Sequence, residues 1–318
     1  MNEIEKREHL AWAYYHNFMY DRENKGGLQM DRKEMNKIIF QNTEYMCKTD
    51  AALSDATKKS VSGQRFIAES EKIPGLNLNV YKKQARIVVS RKRTYEAAAY
   101  YKGQHVAVHN FASAVNPGGG VVYGAGAQEE CLCRCSNLYF CLNTPDMWGM
   151  FYTPHRAAKD PIHNDDIIYT PGIVVFKTDT DLPELMERKD WYKVDVITCA
   201  APNLREIPGN IYNCENGASA AGVSNYDLQI IHEKRLRSIL DSAVMNHADT
   251  VILGAFGCGA FRNDPHAVAS AAANVLSDYI YAFENIEFAV YCRPNDDFNY
   301  RAVSYTHLRA HETRSNLV

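Results

Sequence analysis

Apolar residues change their rhythm along the chain near residue 78. Before that point the sequence is polar and carries no alternating apolar run. Ile4, Ala11, Trp12, Tyr15 and Phe18 nonetheless recur at helical spacing, which predicts an amphipathic helix in EIEKREHLAWAYYHNFMY. DAALSDATKKSVSGQRFIAE fits a weaker helix or a loop. Beyond residue 78, short apolar runs at 85–90, 105–112, 172–177, 194–202, 249–257 and 286–292 predict strands. Several are apolar enough throughout to be buried on both faces. Helical segments alternate with them: TYEAAAYY, AQEECLCRCSNLYFCL, DLQIIHEKRLRSILDSAVMNH and DPHAVASAAANVLSDYIYAF. In the last, Asn263 or Asp264 is placed to cap the helix and Pro265 suits its first position. This order predicts an α/β fold, with a parallel or mixed sheet covered by helices on both faces.

Length and composition narrow the class. The 318 residues suit one large domain, or one domain with an extension. A net charge of −3 gives no general reason to expect nucleic acid or a membrane as partner. The run Arg91-Lys92-Arg93 reads as a solvated strand end. No apolar stretch is long enough to span a bilayer, and the charged N-terminus lacks a signal peptide. Nine cysteines, an odd number scattered along a long chain, point to reduced thiols and a cytoplasmic setting. The C-terminal SYTHLRAHETRSNLV has no periodicity and resembles translated adapter read-through, so residues 304–318 are read as a non-native tail.

Some tempting residues reduce to packing. Cys131, Cys133 and Cys135 alternate on a helix and so face apart, and no Cys/His pair sits nearby at zinc spacing. They read as small apolar residues, and no metal is expected. His155 and His163, in TPHRAAKDPIHNDD, read as surface residues or caps. His9, His16 and His232 lie in helical segments and carry no functional claim. Trp12, Trp148 and Trp191 read as packing residues.

The chemistry lies in two glycine loops. The strand HVAVHNFA runs into SAVNPGGGVVYGAGA and then into a helix starting near Gln128. Gly118, Gly119 and Gly120 permit positive φ and close approach of a ligand to the backbone. Amides of such a loop beside a helix start suit a phosphate. GAFGCGAFRNDP repeats the arrangement after the strand 249–257. Either loop alone fits a tight turn. Two of them at the strand ends of one sheet also fit a bracket around a diphosphate. Neither matches GxxxxGK[ST] or GxGxxG, so an NTPase loop and a dinucleotide site are set aside. Cys258, between two glycines, reads as a small residue tolerated beside phosphate rather than a nucleophile.

Glu129 and Glu130 follow the first loop. One glutamate at a helix start would merely complement the helix dipole. Two adjacent ones repel each other and any phosphate nearby. Repulsion and exclusion of water raise a carboxyl pKa toward that of a general acid, while the helix N-terminus lowers it. Which effect prevails is open at this level.

GGGVVYGAGAQEE resembles the signature of poly(ADP-ribose) glycohydrolases: three glycines, a seven-residue spacer and Gln-Glu-Glu. NFASAVNPGGG, YTPGIVVFKTD, VDVITCAAPN and GAFGCGAFRNDP are similar to the microbial branch, and the likeness covers roughly residues 60 to 300. The resemblance implies a macrodomain-like three-layer α/β/α sandwich with a mixed central sheet. On this reading residues 1–72 form an N-terminal helical extension and 73–303 the catalytic domain. The family's roles, carried over, make Glu130 the catalytic acid/base and Glu129 the residue that holds ribose hydroxyls. Asn116, Gly118, Gly119 and Gly120 would line the pocket for the terminal ribose, with Gln128 positioning the loop. Ala255, Phe256, Gly257, Cys258, Gly259 and Ala260 would wrap the diphosphate, and Phe261 would pack on the terminal ribose.

The implied reaction is hydrolysis of the ribose–ribose O-glycosidic bond of poly(ADP-ribose), releasing ADP-ribose, with no cofactor and no metal. Adjacent helical residues diverge by roughly 100°, so one glutamate would serve both proton transfers. The expected partners are ADP-ribose and poly(ADP-ribose) or ADP-ribosylated macromolecules, met by a monomer. Three alternatives stand beside this: a macrodomain that binds ADP-ribose without cutting, a glycohydrolase for another ADP-ribosyl linkage, and a purely structural protein.

Overall fold

The computed structural model describes residues 31–71, 75–209, 220–293 and 295–315, with side chains as far as residue 306. The helix expected over residues 4–18 lies outside them. Helices α1 (Arg32–Thr49) and α2 (Ala51–Ser62) precede strand β1 (Arg65–Ile67). There follow β2 (Arg86–Ser90), α3 (Thr94–Ala98), β3 (Val106–Ala112), α4 (Gln128–Cys135) and α5 (Leu138–Leu142). After a short helical run from Pro145 come α6 (Thr153–Ala158), β4 (Ile167–Val175) and β5 (Tyr192–Ala200). The chain ends with α7 (Asn225–Met245), β6 (Thr250–Leu253), α8 (Pro265–Tyr279), β7 (Asn285–Ala289) and α9 (Phe298–Ser315).

The strands form one seven-stranded mixed sheet in the order β1-β4-β5-β3-β6-β7-β2. From β5 to β2 all neighbours are parallel, while β4 is antiparallel to both β5 and β1. Alternation along the central strands divides the core into two layers. Ala107, Ile197, Val251 and Phe288 face α7 and α8, packing with Ile239, Leu240 and Val275. Val106, Val108, Val196 and Ile252 face the other way, onto Leu132, Leu138, Phe151 and Phe40. The result is the three-layer sandwich expected. Because β3 pairs directly with β6, the loops leaving their C-terminal ends lie side by side.

Several expectations needed correction. The helix expected over 127–142 breaks at Ser136, whose backbone is extended and bridges Val175. Its hydroxyl donates to Leu132 O at 2.8 Å and accepts from Leu138 N at 3.2 Å, competing with helical bonding. β4 begins five residues earlier than expected and carries a bulge between Thr170 and Ile173, where Pro171 and Gly172 interrupt the pattern. β6 stops at Leu253, since Gly254 begins the loop. β1 is too short for an alternation signal, and the apolar residues that α1 buries, Met35, Ile39, Phe40 and Cys47, form a thin stripe beside buried Asn36, Asn42 and Thr43. His155 and His163 are buried rather than on the surface, and His155 sits on α6. Of the two proposed caps, Asp264 is the one used, accepting from the His266 and Ala267 amides at 2.9 Å. The segment from residue 304 continues α9 as a helix.

Candidate active site

The first loop leaves β3 at Ala112 and enters α4 at Gln128. Gly118 and Gly119 both adopt left-handed backbone, with φ of 65° and 57°. At Gly119 the need for glycine is also spatial. A Cβ there would sit 2.5 Å from Oε1 of Glu130 and 3.1 Å from Oε2 of Glu129. The loop backbone therefore lies directly against both carboxylates. Gly118 is closed in by Tyr139, which a Cβ would approach to 2.8 Å.

Side chains from α4 fasten this loop to the sheet. Oε1 of Gln128 accepts from Phe111 N at 2.9 Å, and Nε2 donates to His109 O at 2.8 Å and to Thr94 Oγ1 at 3.0 Å. Oε1 of Glu129 accepts from Asn110 Nδ2 at 3.2 Å, and Oε2 accepts from Ser113 N at 2.8 Å. Oε1 of Glu130 accepts from Gly120 N at 2.9 Å. Oε2 of Glu130 is buried and has no hydrogen-bond partner among the described residues. One carboxylate is thus anchored through both oxygens, and the other keeps one oxygen free.

The opposing effects on the pair resolve upward. Burial lifts the Glu129 carboxyl to about 8, opposed by the Ser113 amide and reinforced by the charge of Glu130. Burial also raises Glu130, against the Gly120 amide and the Arg134 guanidinium. Loss of hydration outweighs the helix N-terminus at this site.

The second loop, from Gly254 to the cap Asp264, is held from within by Asn263. Nδ2 of Asn263 donates to Pro202 O at 2.6 Å and to Gly257 O and Phe261 O at 3.2 Å. Its Oδ1 meets Nε2 of His232 at 2.7 Å. Gly257, at φ 76°, has no room for a Cβ, which would approach Ala201 and Asn263 within 2.8 Å.

The two loops and the start of α4 enclose a cavity of about 510 Å³. Gly119, Gln128, Glu129 and Glu130 line it from the first side, and Ala255, Gly257, Gly259, Ala260 and Phe261 from the second. Five residues expected in the pocket stand behind its wall. Oδ1 of Asn116 accepts from the Arg156 guanidinium, and Gly118 lies against Tyr139. Gly120 presents its amide to Glu130. Phe256 is buried between His109 and His232, at ring distances of 4.4 and 5.3 Å. The Cys258 thiol turns back toward Phe256 O at 3.7 Å, and burial raises its pKa. Three arginines went unforeseen in the cavity wall, Arg32, Arg93 and Arg293, with Asp179 beside them. The basic run 91–93 was a signal for one of them, and its reading as a solvated strand end fails at Arg93. For the others, far apart in sequence, no local signal existed.

A family model for the catalytic domain of microbial-type PARG matches residues 34–178. The fold is similar to the crystal structure of poly(ADP-ribose) glycohydrolase from Thermomonospora curvata, with a TM-score of 0.74 and 29% identity over 86% of this chain and 99% of that one. With the T. curvata protein bound to the inhibitor ADP-HPD, the TM-score is 0.70 and the identity 30%, again over 86% of this chain and 99% of that one. The protein from Deinococcus radiodurans in complex with ADP-ribose gives 0.65 at 29% identity, over 79% of this chain and 96% of that one. Comparison with curated proteins found no match. The glycine loop, the paired glutamates and the fold that joins them agree with these likenesses: the chain belongs to the microbial-type poly(ADP-ribose) glycohydrolase family.

Proposed function

We propose that this protein is a poly(ADP-ribose) glycohydrolase that hydrolyses the ribose–ribose O-glycosidic bond and releases ADP-ribose. The observation that carries the assignment of roles is the free Oε2 of Glu130, the one oxygen of the paired carboxylates without a partner. Burial raises the Glu130 carboxyl above its ordinary value, the direction that favours a general acid. Glu130 gives its proton to the departing 2′-oxygen as the C1″–O bond breaks, leaving an oxocarbenium-like sugar. Its carboxylate then takes a proton from the water that adds to C1″. Glu129, fixed by Asn110 and the Ser113 amide, holds the ribose hydroxyls. The backbone from Ala255 to Phe261 receives the diphosphate, and Gln128 keeps the first loop against β3.

The partners on this reading are poly(ADP-ribose) and ADP-ribosylated macromolecules, met by a monomer in the cytoplasm. Free cysteines among the described residues support a reducing compartment. No helix among the described residues is long and apolar enough to cross a membrane. The test is polymer hydrolysis by the wild type beside Glu130→Gln. Release of ADP-ribose by the wild type and its loss by about 100-fold or more in the variant is the expected result. An inert wild type, or a fully active variant, overturns the assignment.

A further inference from the structure

The first loop is also held from behind, by side chains that do not line the cavity. Asn36 of α1 donates through Nδ2 to Gly124 O at 3.0 Å, and Arg134 of α4 donates through Nη1 to Ala125 O at 2.6 Å. Both side chains are buried, and neither reaches the cavity wall. Gly124 has a φ of 78°, and a Cβ on it would come within 2.1 Å of Lys33 O, so the loop lies directly on the first turn of α1. A further buried contact joins the two helices: Thr43 Oγ1 donates to Arg134 O at 2.5 Å and accepts from Lys177 Nζ at 2.8 Å.

Burying a guanidinium is costly unless a carboxylate pairs with it, and an apolar side chain of similar volume often serves stability as well or better. Arg134 forms no ion pair among the described residues. Its Nη2 meets Cys131 Sγ at 3.1 Å, and its Nε has no partner there. The bond it makes to Ala125 instead belongs to a closed ring. The Ala125 amide donates to Gly120 O at 3.1 Å, and the Gly120 amide donates to Oε1 of Glu130 at 2.9 Å. Glu130 lies one helical turn before Arg134 on α4, which closes the ring. We propose that Arg134 and Asn36 are positioning residues: together they clamp residues 124 and 125, which holds the Gly120 amide on Oε1 of Glu130 and leaves Oε2 to the substrate. The inference rests on the hydrolase reading above and extends its machinery to α1.

The test takes one readout on the loop and one on the reaction. Amide hydrogen exchange at Gly120, followed by NMR, reports whether the clamp holds. Asn36→Leu keeps the buried volume and removes one donor, Arg134→Gln shortens the other away from Ala125, and Arg134→Lys keeps a donor there. Gly120 should exchange about tenfold faster in Asn36→Leu and in Arg134→Gln than in the wild type, while the amides of β3 keep their rates. In polymer turnover kcat should fall about tenfold in both, with KM within about threefold, and Arg134→Lys should recover most of the loss. Residues that merely stabilised the fold would lower Tm and leave Gly120 exchange and the kcat of the folded enzyme as they were. Unchanged exchange at Gly120 therefore overturns the proposal, as does faster exchange with wild-type kcat, or a loss carried by KM alone. Should Arg134→Gln not fold, Asn36→Leu decides by the same measurements. A wild type without turnover strikes the hydrolase reading, and exchange at Gly120 still decides the clamp.

Discussion

At the scale of single residues, the proposed site turns on Glu130 and Gly119. The glycine's missing side chain is what lets the loop backbone touch both carboxylates. Gly119→Ala would force a methyl group to within 2.5 Å of Oε1 of Glu130 and strain a left-handed backbone. Displacing a reacting group by about 1 Å commonly costs about 100-fold in rate, and that is the loss expected in polymer turnover. Steady-state kinetics of a variant that retains the native melting behaviour checks it; wild-type kcat would remove the glycine from the argument.

The raised carboxyls also mark stability. Glu129 ionises at 4.5 in the unfolded reference and at about 8 in the fold, so the native state keeps a proton that the unfolded chain has lost. A folded pKa above the unfolded one means stability is greatest below the lower value and falls as pH rises through the higher. The urea midpoint of the wild type relative to Glu129→Gln should therefore decline from acid conditions through about pH 8. A constant difference across that range would show that burial does not hold the proton.

At the scale of elements, the site depends on two loops being set by groups within and behind them. Asn263 binds three carbonyls across the second loop, from Pro202, Gly257 and Phe261. Asn263→Ala takes this side-chain donor from Pro202 O, while Gly257 O and Phe261 O keep the backbone amides of Asn263 and Leu204, and should lower unfolding free energy by about 1–3 kcal/mol. ADP-ribose affinity should fall with it, because the loop proposed to receive the diphosphate loses its fixed spacing. Denaturant titration and calorimetry read the two effects, and unchanged affinity would mean that the loop does not hold the ligand. The loops themselves were legible because glycine runs, a strand end and a helix start are all local signals. The break at Ser136 was not, since the apolar pattern LCRCSNLYFCL continues through it while the decision rests on a hydroxyl and on pairing with Val175.

The whole molecule is a layered sheet whose central strands read plainly as buried apolar runs. β1 did not, because three residues at an edge carry no periodicity, and their place is set by pairing with β4. The glutamate pair and the glycines were readable as a motif. Arg32, Arg93, Arg293 and Asp179 were not readable as a wall, because only the folding of α1, the β2 end, the β4–β5 connection and the β7 end brings them together. Asn116, Phe256 and Cys258 show the opposite limit: sequence neighbours of site residues share a loop without sharing its open face.

The most direct measurement is a crystal structure with ADP-ribose bound. The account predicts the diphosphate over the backbone of Ala255 to Phe261 and the anomeric carbon of the terminal ribose facing Oε2 of Glu130. A ligand seated elsewhere, or a Glu130 carboxyl turned away from that carbon, would contradict it.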